Sequence, residues 1–240
     1  EGVKNGFESS CFSVTLNMVE RFYTKNGVPI DEDKTWTSSD YPNRYAVRKT
    51  DEYQKYNLIV DYNTAILNQN RENRFYASLM FDGSVVYMKN VTSEEKAHQI
   101  TTLLKERNGI SGTARATVTG YWIRKLINWE YGHSPSGVAT RSYSWPEMRL
   151  ADLKLLYAEA LNEVDRMPDA IKQIDDVRAR SGLDGVVESW QEFSVNPTKP
   201  NTQDGLREII HQEREIELAF EGNRFFDTRT WRIAEETENG

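Results

Sequence analysis

LREIIHQEREIELAFEGNRFFDTRTW, residues 206 to 231, is the stretch on which the fold turns. At about 100° per residue, Leu206, Ile209, Ile210, Ile216 and Phe220 fall on one stripe of a helix. Glu213 and Glu217 fall near the centre of that stripe, not on the wet face. A surface helix turns its apolar stripe to the core, and a buried charge without a partner costs several kcal/mol. Like charges four residues apart also repel. Both acids therefore call for arginine partners. Arg214, Arg224 and Arg229 are near in sequence, and Arg149 and Arg178 lie on other predicted helices. Structural ion pairs are expected among Glu213, Glu217, Arg149, Arg178, Arg214 and Arg224. Gly222 offers a stop that tolerates positive φ, after which Phe225, Phe226 and Trp231 are expected to pack back over the helix end.

The same run, read as Glu213, Arg214, Ile216, Glu217, Leu218, Ala219, Phe220, Glu221, Gly222, Arg224, Phe226, Asp227, Arg229 and Trp231, resembles the C-terminal signature of the SusD/RagB family. Members are outer-membrane lipoproteins of Bacteroidetes that bind glycans or peptides at the cell surface. Two further stretches extend the resemblance. RLADLKLLYAEALNE, residues 149 to 163, resembles the family's penultimate block. NRENRFYAS, residues 70 to 78, resembles its R-D-P-R-F segment but departs from it at Glu72 and Asn73. The resemblance implies a mainly helical, SusD-like fold with tetratricopeptide-type packing, irregular loops and a small β-hairpin. It also implies that the chain is the C-terminal part of a longer polypeptide, with the signal peptide, lipidated cysteine and N-terminal helices lying outside it.

The 240 residues carry a formal charge of −7, with 38% hydrophobic and 28% charged residues. That length is enough for a sizeable core in one large or two small domains. An acidic balance with no block of Lys and Arg argues against nucleic acid. One cysteine, Cys11, excludes a disulfide framework and a cysteine-built zinc site. Nothing apolar precedes it, so it does not read as a lipid-attachment site. No run of about 18 apolar residues is present, and no signal peptide.

Residues 12 to 25 read as a short helix stopped at Asn26-Gly27. Residues 28 to 45 read as a loop carrying Trp36, Tyr41 and Tyr45. Ala65 to Asn68 has a helical look. Arg74 to Phe81 alternates, Asp82-Gly83 follows, and Ser84 to Tyr87 resumes, which predicts a hairpin. Residues 93 to 107 have weak helical periodicity, and 108 to 120 and 128 to 144 read as loops. From Pro146 the pattern is helical. Leu150, Leu153, Tyr157, Leu161 and Val164 form a stripe widened by Leu155 and Leu156. A short link leads to a second helix from Pro168 to Gly182, with Leu183 placed for the contact that follows such a stop. Two helices over about 34 residues look like one tetratricopeptide-type unit, which cannot bury its own face alone. This part is expected to dock on helices before Glu1. Residues 185 to 203 read as a loop with Trp190 and Phe193. The expected division is 1–144, a loop-rich ligand side; 145–232, a helical region; and 233–240, a frayed tail.

Signs of catalysis are weak. Glu213 and Glu217 share the carboxyl spacing of retaining glycosidases, but any acids four apart on a helix do. Gly132-His133-Ser134-Pro135-Ser136 lacks the second glycine of a nucleophile elbow. Asp31-Glu32-Asp33 lacks the glycine and distal glutamate of a calcium loop. His98, His133 and His211 show no metal-ligand spacing, and neither a P-loop nor a dinucleotide fingerprint occurs. An enzyme is not expected, and neither is a cofactor or a metal. What remains is a rich aromatic set, six tryptophans and twelve tyrosines, placed largely in loops, where binding residues concentrate. Trp36, Tyr41, Trp129, Tyr131 and Trp190 are the candidate ligand-binding residues. Their bland reading is that each ring caps the core. Replacing Trp36, Trp129 and Trp190 with alanine is expected to weaken glycan binding and leave the fold intact.

The resemblance then implies a non-catalytic receptor. It would capture an oligosaccharide or polysaccharide at the outer membrane for import through a TonB-dependent, SusC-like transporter. Two other readings are a helical-repeat adaptor that binds only protein, and a glycoside hydrolase.

Overall fold

The computed structural model describes residues 13–89, 99–101, 117, 119–125, 127–130, 132–134, 137–139, 144 and 146–235. The chain divides into two compact units. The first takes in Glu1–Glu20 and Thr35–Trp145, the second Arg21–Lys34 and Pro146–Gly240. Residues 21–34 thus belong with the C-terminal helices, a long-range association that no local pattern announces.

In chain order the described elements begin with α1 (Leu16–Arg21), α2 (Lys34–Thr37), β1 (Val47–Lys49), β2 (Asn63–Ala65) and α3 (Asn73–Ser78). They continue with β3 (Leu79–Met80), β4 (Trp122–Ile123), β5 (Gly132–Ser134) and β6 (Gly137–Ala139). The C-terminal helices are α4 (Leu150–Glu163), α5 (Met167–Arg180), α6 (Val186–Phe193), α7 (Gln203–Glu217) and α8 (Arg224–Thr230). The fold is mainly helical, with small two-stranded sheets.

In the first unit those sheets are antiparallel: β1 on β2, β3 on β4 and β5 on β6. The hairpin expected across Asp82-Gly83 does not form. A turn is there, since the Ser84 amide donates to the Phe81 carbonyl at 3.0 Å and Gly83 has φ +86°. Its arms do not pair with each other. Residues 73–78 are helical, β3 pairs with β4, Ser84 bridges to Leu58, and Val85 bridges to Gln99. Arg74, Phe75, Tyr76 and Ser78 are all buried. Asn73 and Ala77, four residues apart, are the exposed positions of 73–80, so burial follows the helical period and not the alternation, and tertiary packing chose the helix. The β5–β6 hairpin instead falls in a stretch that reads as loop from its sequence. The Phe81 ring lies 5.3 Å from Phe75 and 5.8 Å from Tyr121, and a second cluster joins Met80, Val86 and Ile100. Arg71 is buried here, donating to the Leu67 and Val19 carbonyls at 2.8 and 3.0 Å. Burial pushes its guanidinium down to about 10.

In the second unit α4 packs on α5 and on α7. Ala151, Leu155, Ala158 and Leu161 are the buried face of α4. Met167 opens α5 with Pro168 in its first turn, where the missing N–H costs nothing. The helix ends at Arg180, Gly182 (φ +76°) follows as the stop, and the Leu183 amide returns to the Arg178 carbonyl. Thr202 caps α7 by accepting from the Gly205 amide at 3.1 Å.

Three expectations fail in this unit. Residues 186–193 form α6 rather than a loop. Helix α7 stops at Glu217, five residues before Gly222, and Phe220 takes the left-handed conformation at φ +66°. Phe225 and Phe226 are exposed rather than folded back. Residues 93–98, 102–107 and 236–240 lie outside the described residues, and with them most of the expected helix at 93–107 and the end of the expected frayed tail.

Candidate functional site

The two acids of the opening stretch are buried and face cations. Glu213 meets Arg178 at 3.3 Å, with both side chains fully shielded from solvent. Arg178 also donates to the carbonyls of Asp184 and Gly27 and to the Ser189 hydroxyl, each at 2.9 Å. Gly27 is required there: φ is +73°, and a Cβ would lie 2.4 Å from the Arg178 Nη2. Glu217 is bridged by Arg149 at 3.0 Å and by Arg180. Arg149 also grips Glu221 through both Nε and Nη2, at 2.7 Å each.

Arg214 turns away from both acids and joins Asp152 and Asp227, at 2.5 and 2.9 Å. Arg224 lies 3.7 Å from Glu215, not from Glu213 or Glu217. Helical spacing cannot show this sorting. Arg214, one residue after Glu213, points off at another angle of the same helix. Arg180, Asp152 and Asp227 were missed because their partners lie on other helices.

Asp175 borders this network, and burial pushes its carboxyl up. The Val186 N–H and Arg178 oppose the shift, and Glu188 and Glu213 add to it. An acid with a raised pKa in the folded state holds its proton more tightly there. This site therefore adds stability as pH falls from neutral through the folded pKa toward the usual carboxylate range. Asp175→Asn removes that titration. Melting curves from pH 7 to 4 should show the wild type gaining on the variant as pH falls; a constant gap would refute the assignment.

The aromatic candidates separate sharply. Trp36, on α2, is 2% exposed, and Arg71 stands 5.7 Å from its ring. Trp190 is 0% exposed on α6; its ring meets Tyr23 edge-on at 5.9 Å and its Nε1 donates to Glu32 at 3.2 Å. Neither ring is available to a ligand, so both are corrected from ligand contacts to core residues. The reason is that each sits on a helix within a core rather than at a loop tip. Tyr41 is half-buried, with the Arg44 guanidinium 4.6 Å from its ring. Tyr131 lies outside the described residues.

Trp129 is 59% exposed. Its carbonyl accepts from the Lys89 amide at 2.9 Å, and Lys89 Nζ stands 5.5 Å from its ring. The same ammonium is paired with Glu130 at 2.5 Å, and Asn128 Oδ1 accepts from the Glu130 amide. A short polar turn thus presents the indole outward.

Tyr45, Tyr53 and Tyr56 are further exposed rings of this unit. The sequence reading placed Tyr45 in a loop without choosing it, and passed over the other two. Only burial in the folded chain separates such rings from core ones. Among the described residues no group of His, Cys, Asp and Glu is arranged to hold a metal, and no helix is long and apolar enough to cross a membrane.

A sequence profile of the SusD family matches residues 3–240. The chain belongs to the SusD family. SusD-like protein P2 of Formosa agariphila is 35% identical over 96 residues, which is 40% of this chain and 18% of that protein. The solved structure of BT4246 superposes with a TM-score of 0.73 at 27% identity, covering 93% of this chain and 34% of that one. A SusD-like protein of Bacteroides fragilis (BF3747) superposes at 0.64 with 26% identity, covering 93% and 37%. The chain thus spans about a third of these solved relatives.

Proposed function

We propose that this chain is part of a non-catalytic, surface-exposed receptor that captures an oligosaccharide for a SusC-like, TonB-dependent transporter at the outer membrane. Membership of the SusD family supports the role. The observation that carries the ligand side is Trp129, a large ring left 59% exposed on a turn fixed by backbone and ionic contacts. A large ring held outward at solvent loses little freedom on binding.

The buried acids speak against hydrolysis. Glu213 and Glu217 are neutralised by arginines and sealed from water, so neither has room for a sugar or a hydrolytic water.

A second surface fits the remainder of a longer SusD-like polypeptide. Leu150, Leu153, Leu156 and Tyr157 are exposed along α4, and Val164 just past its end. Their spacing of three and four residues is that of a helix-packing seam, and a lone helical-repeat unit leaves such a face open. We assign it to preceding helices of the same polypeptide.

Trp129→Ala should leave the melting temperature within about 2 °C, since exposed substitutions typically change stability by less than ~0.5 kcal/mol. It should weaken glycan binding at least about tenfold, or 1.4 kcal/mol. Calorimetric titration against the glycan selected by an array screen checks this, and unchanged affinity would remove Trp129 from the site.

A further inference from the structure

Three exposed rings of the first unit, Tyr45, Tyr56 and Trp129, share a construction that goes beyond any single residue. At Tyr45 the Arg44 guanidinium lies 4.6 Å from the ring centroid and the same distance from that of Tyr41. Glu20 accepts from Arg44 Nε at 2.5 Å and from the Tyr45 hydroxyl. Arg44 Nη1 also donates to the Tyr41 carbonyl at 3.0 Å. The Tyr45 ring is therefore held at its hydroxyl and backed by a planar cation, yet the residue remains 54% exposed.

Tyr56 repeats the pattern. It is 71% exposed, Lys55 Nζ stands 5.7 Å from its ring, and Glu52 pairs with that ammonium at 2.9 Å. Trp129 with Lys89 and Glu130 is the third case.

Two physical consequences follow. A cation near the ring face steadies the aromatic through its quadrupole, and a steadied ring gives up less entropy when a ligand stacks on it. The carboxylate beside each cation cancels its charge locally. An acidic sugar brought to any of these rings meets an ammonium or guanidinium already matched, and a carboxylate that repels it. The chain's net charge of −7 adds to that repulsion.

We propose that Tyr45, with Arg44 and Glu20, is a stacking station for an uncharged sugar ring, that Tyr56 and Trp129 are built alike, and that the captured glycan is neutral rather than polyanionic. This rests on the reading of the chain as a glycan receptor and adds a substrate class and a residue to it.

Isothermal titration of the full chain with hexaoses tests it. Maltohexaose, cellohexaose, xylohexaose and mannohexaose form the neutral arm, and hexagalacturonic acid the acidic one. At least one neutral hexaose should bind, and the acid should bind at least about tenfold more weakly, a gap of 1.4 kcal/mol. The gap should narrow as salt screens the repulsion. Tyr45→Ala should weaken the neutral ligand about tenfold, while Tyr45→Phe, which keeps the ring, should retain most of the affinity.

Acid binding as tight as the best neutral ligand overturns the substrate class and leaves glycan capture standing. A neutral ligand indifferent to Tyr45→Ala overturns the station. No binding in either arm overturns the receptor reading itself, and this inference with it.

Discussion

Replacing Arg178 with alanine should cost the C-terminal unit about 3–5 kcal/mol, the usual penalty for breaking a buried ion pair by removing one partner. Glu213 would remain sealed from solvent without its guanidinium, 3.3 Å away in the wild type. The Gly27 and Asp184 carbonyls and the Ser189 hydroxyl would lose a donor in the same change. For a chain of this size, each kcal/mol shifts the melting midpoint by roughly 2–4 °C. Urea titration and thermal melts read the loss. The double variant Arg178→Met, Glu213→Leu should recover a large part of it, because no charge is then stranded. A melting point for Arg178→Ala within about 1 °C of wild type, below the shift of a single kcal/mol, would show that the pair does not hold the unit together.

Trp190→Ala should be nearly as damaging, at about 3–5 kcal/mol for a large aromatic removed from a core. The ring is fully buried, edge-on to Tyr23, 5.5 Å from the Arg178 guanidinium and hydrogen-bonded to Glu32. Whatever fraction stays folded should bind glycan with wild-type affinity. Trp129→Ala is the mirror image, an unchanged melt with weakened binding. A stable Trp190→Ala protein that has lost its glycan would restore Trp190 as a ligand contact. Because Trp190 and Arg178 touch, the two losses should not add in a double variant.

The tryptophans show how far composition carries. Trp36, Trp129 and Trp190 all stand among loop-like residues in the sequence, and loop placement argues for exposure. Only Trp129 is exposed. Residues 186–193 look irregular because they are short and flanked by glycine and proline, yet they form a helix that docks Trp190 on Tyr23. Tyr23 is more than 160 positions away, and no window of sequence contains both. Residues 74–81 fail in the opposite direction: their alternation is real, but Arg74, Tyr76 and Ser78 are buried and Ala77 is exposed, so burial there does not follow it.

The acids were the most legible feature. Two glutamates on an apolar stripe have few physical options, and burial with arginine is the cheapest. Which arginine serves which acid was not legible. Arg178 on α5 reaches Glu213, Arg149 and Arg180 reach Glu217, and Arg214 goes to Asp152 and Asp227. Pairing depends on how helices cross, and crossing depends on side chains from both partners.

By itself, then, the sequence determined that residues 206–217 form a helix with charge in its core, that α4 and α5 make one helical pair, and that the chain is of the SusD kind. Periodicity and glycine stops are local, and a contiguous motif needs no partner to be read. The tertiary structure alone decided which rings see solvent, where the strands pair, and which cation answers each acid. Those outcomes are set by residues far apart in the chain, brought together by burial that acts on total apolar surface and carries no record of sequence order.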